Sequence, residues 1–297
     1  MRKEIIFVAD FFADEILGGA ELTSEALINA ASMTVHKVKA IEVTRDFILS
    51  NKDSFWVFGN FTQFKYLYLK DVIENLNYAV IEYDYKFCIY RSIELHRAME
   101  SADCDCHRYF GKEIANFYKN AAVVFWMSAQ QRDLYLERFI TLTEANNIIL
   151  SSVFDPKDIQ KIKDIREQSN ERSGWLIVDS SSWIKGVEDS VSYCEKNGLT
   201  KRIVSNLKYD QLLQELGRCE GVVMMPKGGD SCPRLAIEAK LAGCKLISND
   251  NIQQKGEEWF EGSVAEMERY LLNRPSLFWG TIERLMMEAV NDQKLFI

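Results

Sequence analysis

The residues of this sequence best suited to chemistry lie in a loop, residues 226–232, between a predicted strand and a predicted helix. The adjacent glycines Gly228 and Gly229 let a ligand approach the backbone closely. The start of the following helix presents free amide groups and a partial positive charge, which favour an anion such as phosphate. Lys227 and Ser231 add a cation and a hydroxyl group. The loop therefore predicts a phosphate cradle.

Two carboxylates flank the start of that helix. Asp230 lies in the loop, and Glu238 lies about a turn and a half inside the helix. Because of this spacing, both carboxylates can converge on hydroxyl groups of one ligand. The structural alternative is a helix cap formed by Asp230 and a solvated Glu238.

Two further loops combine glycine with a helix start. Residues 180–186 contain three serines followed by Lys185 and Gly186, and hydroxyl groups with a lysine suit a diphosphate. The alternative there is a helix cap with a solvated lysine. Near the N-terminus, Gly18 and Gly19 again open a helix to an anion, although they lack the GxGxxG spacing of a dinucleotide-binding loop.

A fourth segment, residues 81–92, is rich in tyrosine and follows a predicted strand. Asp84 ends that strand and has Lys86 and Arg91 nearby. Aromatic faces can stack on a sugar or a base, and a carboxylate can orient or deprotonate a hydroxyl group. The segment predicts an acceptor pocket with Asp84 as a catalytic residue. The alternative is a polar loop whose aromatic residues plug the domain edge, and His96 beyond it is interpreted as structural.

Short apolar strands that alternate with helices must position these loops. Strands are predicted near residues 4–9, 35–43, 55–58, 78–83, 121–126 and 147–150, and then near 174–178, 201–204, 221–225 and 245–247. Helices of this length between strands imply right-handed crossovers and parallel sheets, whose ligands bind beyond the carboxyl ends of the strands. The pattern predicts an α/β fold of two Rossmann-like domains. A helix is expected from residue 62, and residues 84–108 are expected to be irregular.

Composition limits the class of protein. The 297 residues correspond to about two domains at roughly 150 residues each, with a hydrophobic content of 47% that is typical of globular chains. The net charge of −8 argues against a protein that coats nucleic acid. No apolar run approaches the ~20 residues that span a bilayer, and no secretory signal follows Met1. A soluble, cytoplasmic protein is expected, with its seven cysteines as reduced thiols.

Two short patterns suggest a metal site, but neither has the surrounding structure or the further ligands that such a site requires. Asp103-Cys104-Asp105 spells DxD, which requires a position after the central strand of a single sheet, whereas here it precedes a helix in an irregular stretch. Cys106-His107 suggests zinc, but zinc needs four ligands and no second pair is evident. The sequence therefore predicts no metal site.

Taken together, these loops resemble nucleotide-sugar-dependent glycosyltransferases of the GT-B architecture, of the retaining group 1 or family 4 type. Residues 18–21 (GGAE) look like the family's N-terminal motif, and residues 183–187 (WIKGV) look like its K-G element. Residues 230–239 (DSCPRLAIEA) and 241–243 (LAG) are similar to its E-x(7)-E region and the continuation of that region. The resemblance covers most of the chain and is most specific in the C-terminal half.

The sequence departs from the family pattern at three points. Asp230 stands in place of the first glutamate, and the chain is short for the fold. A basic residue often paired with the K-G lysine is not obvious, although Lys227 or Arg234 could replace it. These departures favour one alternative, a non-catalytic homologue that binds a nucleotide sugar. A nucleotide-sugar epimerase is another, but the three histidines (36, 96 and 107) lie outside the C-terminal motifs.

The resemblance implies transfer of a hexose or pentose from a UDP- or GDP-sugar to an acceptor hydroxyl, with retention and without a metal or other cofactor. It implies an acceptor domain (1–152), a donor domain (153–276) whose sheet faces the first across a cleft, and a C-terminal helix (277–297) that packs back on the first domain. Glu238 would bind ribose or sugar hydroxyls as a catalytic residue beside Asp84, and Lys185 would bind the diphosphate. The other donor contacts would come from Gly18, Gly19, Gly186, Lys227, Gly228, Gly229, Asp230, Ser231 and Arg234.

The acceptor is open at this stage, as is the oligomeric state. A glycan or a lipid-linked sugar is the usual acceptor in this family. A modified base in DNA is a second option, which depends on cationic residues of the N-terminal half. These residues are Lys65, Lys70, Lys86, Arg91, Arg97 and Arg108.

Overall fold

The computed structural model describes residues 4–168 and 171–295 of the chain. The N-terminal residues 1–3, on which the prediction about a secretory signal partly rests, lie outside this range. Internal contacts group the chain into two units. The first unit comprises residues up to 88, 105–153 and those from 273 onward, and the second comprises 89–104 and 154–272. Within the described residues, no helix combines the length and the apolar character needed to cross a membrane.

The strands lie where the sequence predicts them, except that the strand predicted over residues 35–43 ends at Lys39 and a 3₁₀ turn follows over Ala40–Glu42. They are β1 (Ile5–Ala9), β2 (Val35–Lys39), β3 (Phe55–Phe58), β4 (Asn77–Glu82), β5 (Val123–Trp126), β6 (Asn147–Ile149), β7 (Trp175–Val178), β8 (Lys201–Val204), β9 (Gly221–Met224) and β10 (Lys245–Ser248). In the described part of the chain they form a six-stranded sheet in the order β2-β1-β3-β4-β5-β6 and a four-stranded sheet in the order β10-β9-β7-β8. Every strand pairing is parallel.

The helices cover both sheets. They are α1 (Gly19–Asn29), α2 (Arg45–Ser50), α3 (Leu69–Asn75), α4 (Ile93–Glu100), α5 (Phe110–Lys119), α6 (Ala129–Arg138), α7 (Pro156–Gln168), α8 (Val187–Lys196), α9 (Tyr209–Arg218), α10 (Arg234–Leu241), α11 (Glu258–Glu261), α12 (Val264–Leu272) and α13 (Arg274–Leu295). Ser128 caps α6 as predicted, because its hydroxyl accepts from the Gln131 amide at 3.0 Å. The prediction that residues 84–108 are irregular is wrong over α4.

The helix predicted from residue 62 begins only at Leu69, after a short 3₁₀ turn. The reason is the buried carboxylate of Asp10 at the end of β1. It accepts hydrogen bonds from the backbone amides of Thr62 and Gln63, each at 2.8 Å, and from the Thr62 hydroxyl. These bonds hold the backbone in a turn, so the helix starts later than the hydrophobic pattern predicts.

Aromatic rings fill the core of the first unit. The Phe58 ring lies 5.2 Å from the Phe117 ring, and Tyr78 stacks on Phe117 at 4.8 Å. The Tyr78 hydroxyl donates to the Phe117 carbonyl at 2.6 Å, and burial raises the pKa of that hydroxyl. The second unit has a mainly aliphatic core, with buried Leu176, Val222 and Ile237 near its centre.

The last helix, α13, packs on the first unit. The indole N–H of Trp279 donates to the Leu27 carbonyl at 2.8 Å, and the Phe278 ring lies 4.7 Å from the Phe125 ring. Both aromatic side chains are buried. The chain therefore returns to its first unit after completing the second, as the predicted fold requires.

Trp279→Ala is expected to lower the free energy of unfolding by about 3–5 kcal/mol, because it removes a buried aromatic side chain and leaves the Leu27 carbonyl without that donor. Met287 lies on the same helix with 62% of its surface exposed, so Met287→Ala is the matched control and should change stability by less than about 0.5 kcal/mol. Urea unfolding measures both variants. A loss for Trp279→Ala as small as that of the control would show that the packing of Trp279 does not stabilise the first unit.

Candidate functional site

The two loops that the sequence assigns to phosphate binding leave neighbouring strands of the second sheet. Residues 180–186 follow β7 and residues 226–232 follow β9, and these strands pair directly. Across the two loops, the Lys185 ammonium lies 2.7 Å from the Asp230 carboxylate. Burial lowers the pKa of Lys185, but attraction to Asp230 and the hydrogen bond outweigh it, so the pKa is raised. The site therefore holds a protonated lysine beside a buried carboxylate.

Gly186 makes this pairing possible. Its φ of +59° is in the left-handed region, and a Cβ there would overlap the Met225 carbonyl group. The buried Ser190 hydroxyl links the same two backbones, since it donates to the Gly186 carbonyl and accepts from the Met225 amide, each at 3.0 Å. The first loop is thereby held against the start of the second.

Amide side chains beyond β10 support the second loop from its other side. Asn249 and Asn251 both donate to the Pro226 carbonyl, at 2.8 and 2.7 Å. The Gln254 side chain donates to the Ser231 carbonyl at 2.7 Å. The sequence analysis missed these residues, although their polar cluster directly after a predicted strand was a visible signal.

Neighbouring side chains give Gly228 and Lys227 of the second loop a structural role as well. A Cβ on Gly228 would lie 2.8 Å from the Glu94 carboxylate of α4, which belongs to the same unit. The Lys227 ammonium lies 3.2 Å from Glu188 and 5.7 Å from the centre of the Trp183 ring. Lys227 therefore has a carboxylate partner of its own on the surface.

Glu238 and Arg234 form a buried pair on α10. One Glu238 oxygen accepts from the Arg234 guanidinium and from the Tyr209 hydroxyl, each at 3.0 Å. The guanidinium lies 3.8 Å from the centre of the Phe154 ring. Burial raises the pKa of Glu238, and Arg234 offsets part of the rise. The alternative of a solvated Glu238 is wrong, as is that of an Asp230 cap, because the N-cap residue of α10 is Pro233.

The N-terminal glycines show a different environment. Gly18 is the N-cap residue of α1, and its carbonyl accepts from the Leu22 amide at 2.9 Å. The Glu21 carboxylate folds back so closely that a Cβ on Gly18 would collide with it. An anion that approaches Gly18 or Gly19 therefore meets an acidic side chain at the start of the helix.

In the first unit, Asp84 contacts the buried charged side chain of Lys86, which in turn contacts Glu82. The Lys86 ammonium lies 3.3 Å from Glu82 and 3.4 Å from Asp84, and the Asp84 amide donates to Glu82 at 2.9 Å. Burial raises the pKa of Glu82 to about 8 despite the nearby Lys86. Asp84 itself is partly exposed, while Glu82 and Lys86 are fully buried. The sequence analysis missed Glu82 because it ends an apolar strand.

The tyrosines around Asp84 are core residues. Tyr83 and Tyr85 are buried, and Tyr85 stacks on Tyr135 at 6.1 Å. Phe87 meets the same Tyr135 edge-on at 5.0 Å. These rings close the edge of the domain, so the expectation that Tyr83 and Tyr85 stack on a ligand is wrong.

One further group of side chains has metal-binding chemistry. The thiols of Cys88, Cys104 and Cys106 and the His96 imidazole place their ligand atoms within 4.8 Å of one another. The argument that zinc lacks a second pair of ligands here is wrong. Cys106 belongs to this group, whereas the neighbouring His107 does not.

Comparisons with known proteins bear on the fold. No protein-family model and no curated protein matches the chain. Among solved structures, HepE from Anabaena in complex with UDP and glucose aligns with 10% identity, 98% and 99% coverage of the two chains and a TM-score of 0.51. Sucrose-phosphate synthase from Thermosynechococcus elongatus aligns with 10% identity, 97% and 100% coverage and a TM-score of 0.65.

A third solved structure is a trehalose-6-phosphate synthase studied for glycosyl transfer with retention. It aligns with 8% identity, 99% coverage of both chains and a TM-score of 0.53. These likenesses extend over both sheets of the chain. They confirm the predicted fold, which is the GT-B arrangement of two Rossmann-like domains.

Gly186→Ala is expected to cost about 1–3 kcal/mol more stability than Gly198→Ala. Both glycines have positive φ, so both variants carry the backbone strain, but only Gly186 faces the Met225 carbonyl, and nothing lies within 4 Å of a Cβ at Gly198. Urea unfolding of the two variants isolates the collision. Equal destabilisation would show that the loop after β7 adapts freely.

Proposed function

We propose that this protein is a glycosyltransferase that moves a hexosyl or pentosyl unit from a UDP- or GDP-sugar to a hydroxyl group of an acceptor. The observation that carries the proposal is the 2.7 Å contact between Lys185 and Asp230, which joins the K-G element to the E-x(7)-E region. The UDP and glucose bound to HepE and the retaining transfer studied in the trehalose-6-phosphate synthase support a nucleotide-sugar donor and retention.

Lys185 would stabilise the leaving group. Negative charge grows on the diphosphate as the glycosidic bond breaks, and a fixed cation lowers the energy of that state. Asp230 keeps Lys185 protonated and oriented in the structure. A diphosphate would replace Asp230 as the partner of Lys185, which releases the carboxylate toward sugar hydroxyls. The backbone at Gly186, Gly228 and Gly229 and the Ser231 hydroxyl would complete the phosphate contacts, and we propose that no metal is needed.

Glu238 would bind hydroxyl groups of the ribose or of the sugar. Tyr209 and Arg234 both donate to one of its oxygens, and these bonds fix the orientation of the carboxylate. Arg234 is buried against Phe154. We therefore assign it the role of a positioning residue for Glu238 instead of a phosphate ligand, and Lys227 remains as the second cation of the loop.

The first unit would bind the acceptor, a glycan or another hydroxyl compound. In this proposal the acceptor domain is residues 1–152 apart from 89–104, which group with the second unit. Residues 153–276 are the donor domain and residues 277–297 the returning helix, in a cytoplasmic enzyme. Asp84 would orient or deprotonate the acceptor hydroxyl, held in place by the buried Lys86 and Glu82. Because Lys86 is fully buried, it cannot contribute to a DNA-binding surface, and we do not propose a DNA acceptor.

Lys185→Ala is expected to weaken UDP or GDP binding at least tenfold, about 1.4 kcal/mol, because it removes the cation for the diphosphate. The control is Lys245→Ala, at the opposite end of the same sheet, where Lys245 pairs with Glu220 in an exposed position. Titration calorimetry with UDP, GDP, ADP and CMP measures the affinities. Equal affinities in wild type and Lys185→Ala would contradict the assignment, and nucleotide binding without turnover of any radiolabelled UDP- or GDP-sugar would favour a non-catalytic homologue.

Asp84→Asn is expected to lower sugar transfer by about 10²–10⁴-fold without changing nucleotide affinity, because the amide cannot accept a proton. Asp133→Asn, on the surface of the same unit, is the control and should transfer normally. Transfer from radiolabelled donors to a panel of monosaccharide and glycoside acceptors gives the rates. Normal transfer by Asp84→Asn would remove Asp84 from the mechanism.

A further inference from the structure

The strongest unassigned feature is a cluster of cysteine and histidine side chains within one short stretch of chain, residues 88–106. It consists of Cys88, His96, Cys104 and Cys106, and each side chain is buried. The sulfur and imidazole nitrogen atoms all lie within 4.8 Å of one another. In the described residues, this is the one group of at least three histidine, cysteine or acidic residues whose ligand atoms gather in this way.

Local structure brings the first two members together. A turn in which the Cys88 amide donates to the Tyr85 carbonyl at 2.8 Å positions Cys88. The Ser92 hydroxyl then caps α4 by accepting from the Leu95 amide at 3.1 Å. His96 follows in the first part of that helix, where its amide donates to the Ser92 carbonyl at 3.0 Å. The cap thereby fixes the start of the helix that carries His96.

The chain then turns back toward its starting point. Helix α4 ends at Ser101, whose φ of +53° lies in the left-handed region, and Arg97 pairs with Asp103 at 2.8 Å across the reversal. Cys104 and Cys106 follow. The backbone at Cys106 is packed so closely on Gly111 that a Cβ on that glycine would lie 2.9 Å from the Cys106 carbonyl. Backbone packing therefore fixes the position of Cys106.

We propose that these four side chains bind one Zn²⁺ ion as a structural site. Three thiolates and one imidazole are a donor set that zinc takes in tetrahedral coordination, with Zn–S bonds of about 2.3 Å and Zn–N bonds of about 2.0–2.1 Å. Such bonds put neighbouring sulfur atoms about 3.8 Å apart, so small side-chain rotations bring the cluster to coordinating geometry. Four protein ligands leave no open position, so the ion stabilises residues 88–106 and takes no part in sugar transfer.

The other cysteines do not offer this chemistry. The Cys219 and Cys244 sulfur atoms lie 3.7 Å apart but form only a pair, and Cys194 is buried elsewhere in the second unit. None of the seven cysteines, all within the described ranges, forms a disulfide bond. Cys194 is therefore a matched control, since it is a buried cysteine outside the cluster.

Metal analysis of the tag-free protein tests the site. Inductively coupled plasma mass spectrometry of wild-type protein, purified without chelator, is expected to find about one zinc per chain. Exchange of the zinc for Co²⁺ should give the thiolate charge-transfer band and the intense visible bands of tetrahedral cobalt. Cys104→Ser and Cys106→Ser should lower bound zinc about threefold or more, whereas Cys106→His, which keeps a zinc ligand, and Cys194→Ser should retain it.

Two results would overturn the proposal. One is a wild-type protein that neither contains zinc nor takes up Zn²⁺ or Co²⁺ in tetrahedral form, including the case in which mass spectrometry shows a disulfide among Cys88, Cys104 and Cys106. The other is full zinc content in both serine variants, which would place the ion elsewhere. If the serine variants do not fold, the cobalt spectrum of wild type decides the question, because it reports thiolate coordination directly.

Discussion

The contact between the Lys185 ammonium and the Asp230 carboxylate, 2.7 Å long, organises the second unit. Each charge lies in a loop at the carboxyl end of a strand, and breaking a partly buried pair by removing one member leaves the other uncompensated. The surrounding backbone holds the two loops in the positions that this contact requires. Gly186 allows the first loop to pass beneath the Met225 carbonyl, and Asn251 anchors the second loop by accepting from the Asp230 amide at 2.8 Å. A diphosphate would enter by competing with Asp230 for one cation.

The first unit also pairs a lysine with carboxylates, but there the lysine is the buried partner and a carboxylate is the exposed one. There Lys86 is completely buried between Glu82 and Asp84, and only Asp84 reaches the surface. In the second unit the carboxylate is the more buried partner, and 37% of the Lys185 side chain is exposed. One sheet therefore presents a carboxylate, which suits a hydroxyl group, and the other presents a cation, which suits a diphosphate. This difference in burial is the physical basis of the proposed division between acceptor and donor domains.

The sequence predicted the strands and the fold, because apolar strands alternate regularly with helices. It also predicted that the glycine- and charge-bearing loops 180–186 and 226–232 follow strands of one sheet, whereas their binding of a donor stays a prediction. It could not predict which charges are buried. The sequence offered Arg234 as a donor contact, and its stacking on Phe154 depends on a contact distant in sequence. Glu82 ends an apolar strand and gives no polar signal. The cysteine cluster was missed because its four ligands are spread over residues 88–106 without a C-x-x-C pair, and only the reversal at Ser101 returns Cys104 to His96.

The central claim is that a nucleoside diphosphate binds where Lys185 and Asp230 meet. Hydrogen–deuterium exchange with and without saturating UDP or GDP tests it most directly, since it reports which backbone amides the nucleotide covers. The account predicts slower exchange in peptides that contain residues 183–187 and 226–232, with little change across β1 to β3. Protection confined to the first unit, or no protection by either nucleotide, would contradict it.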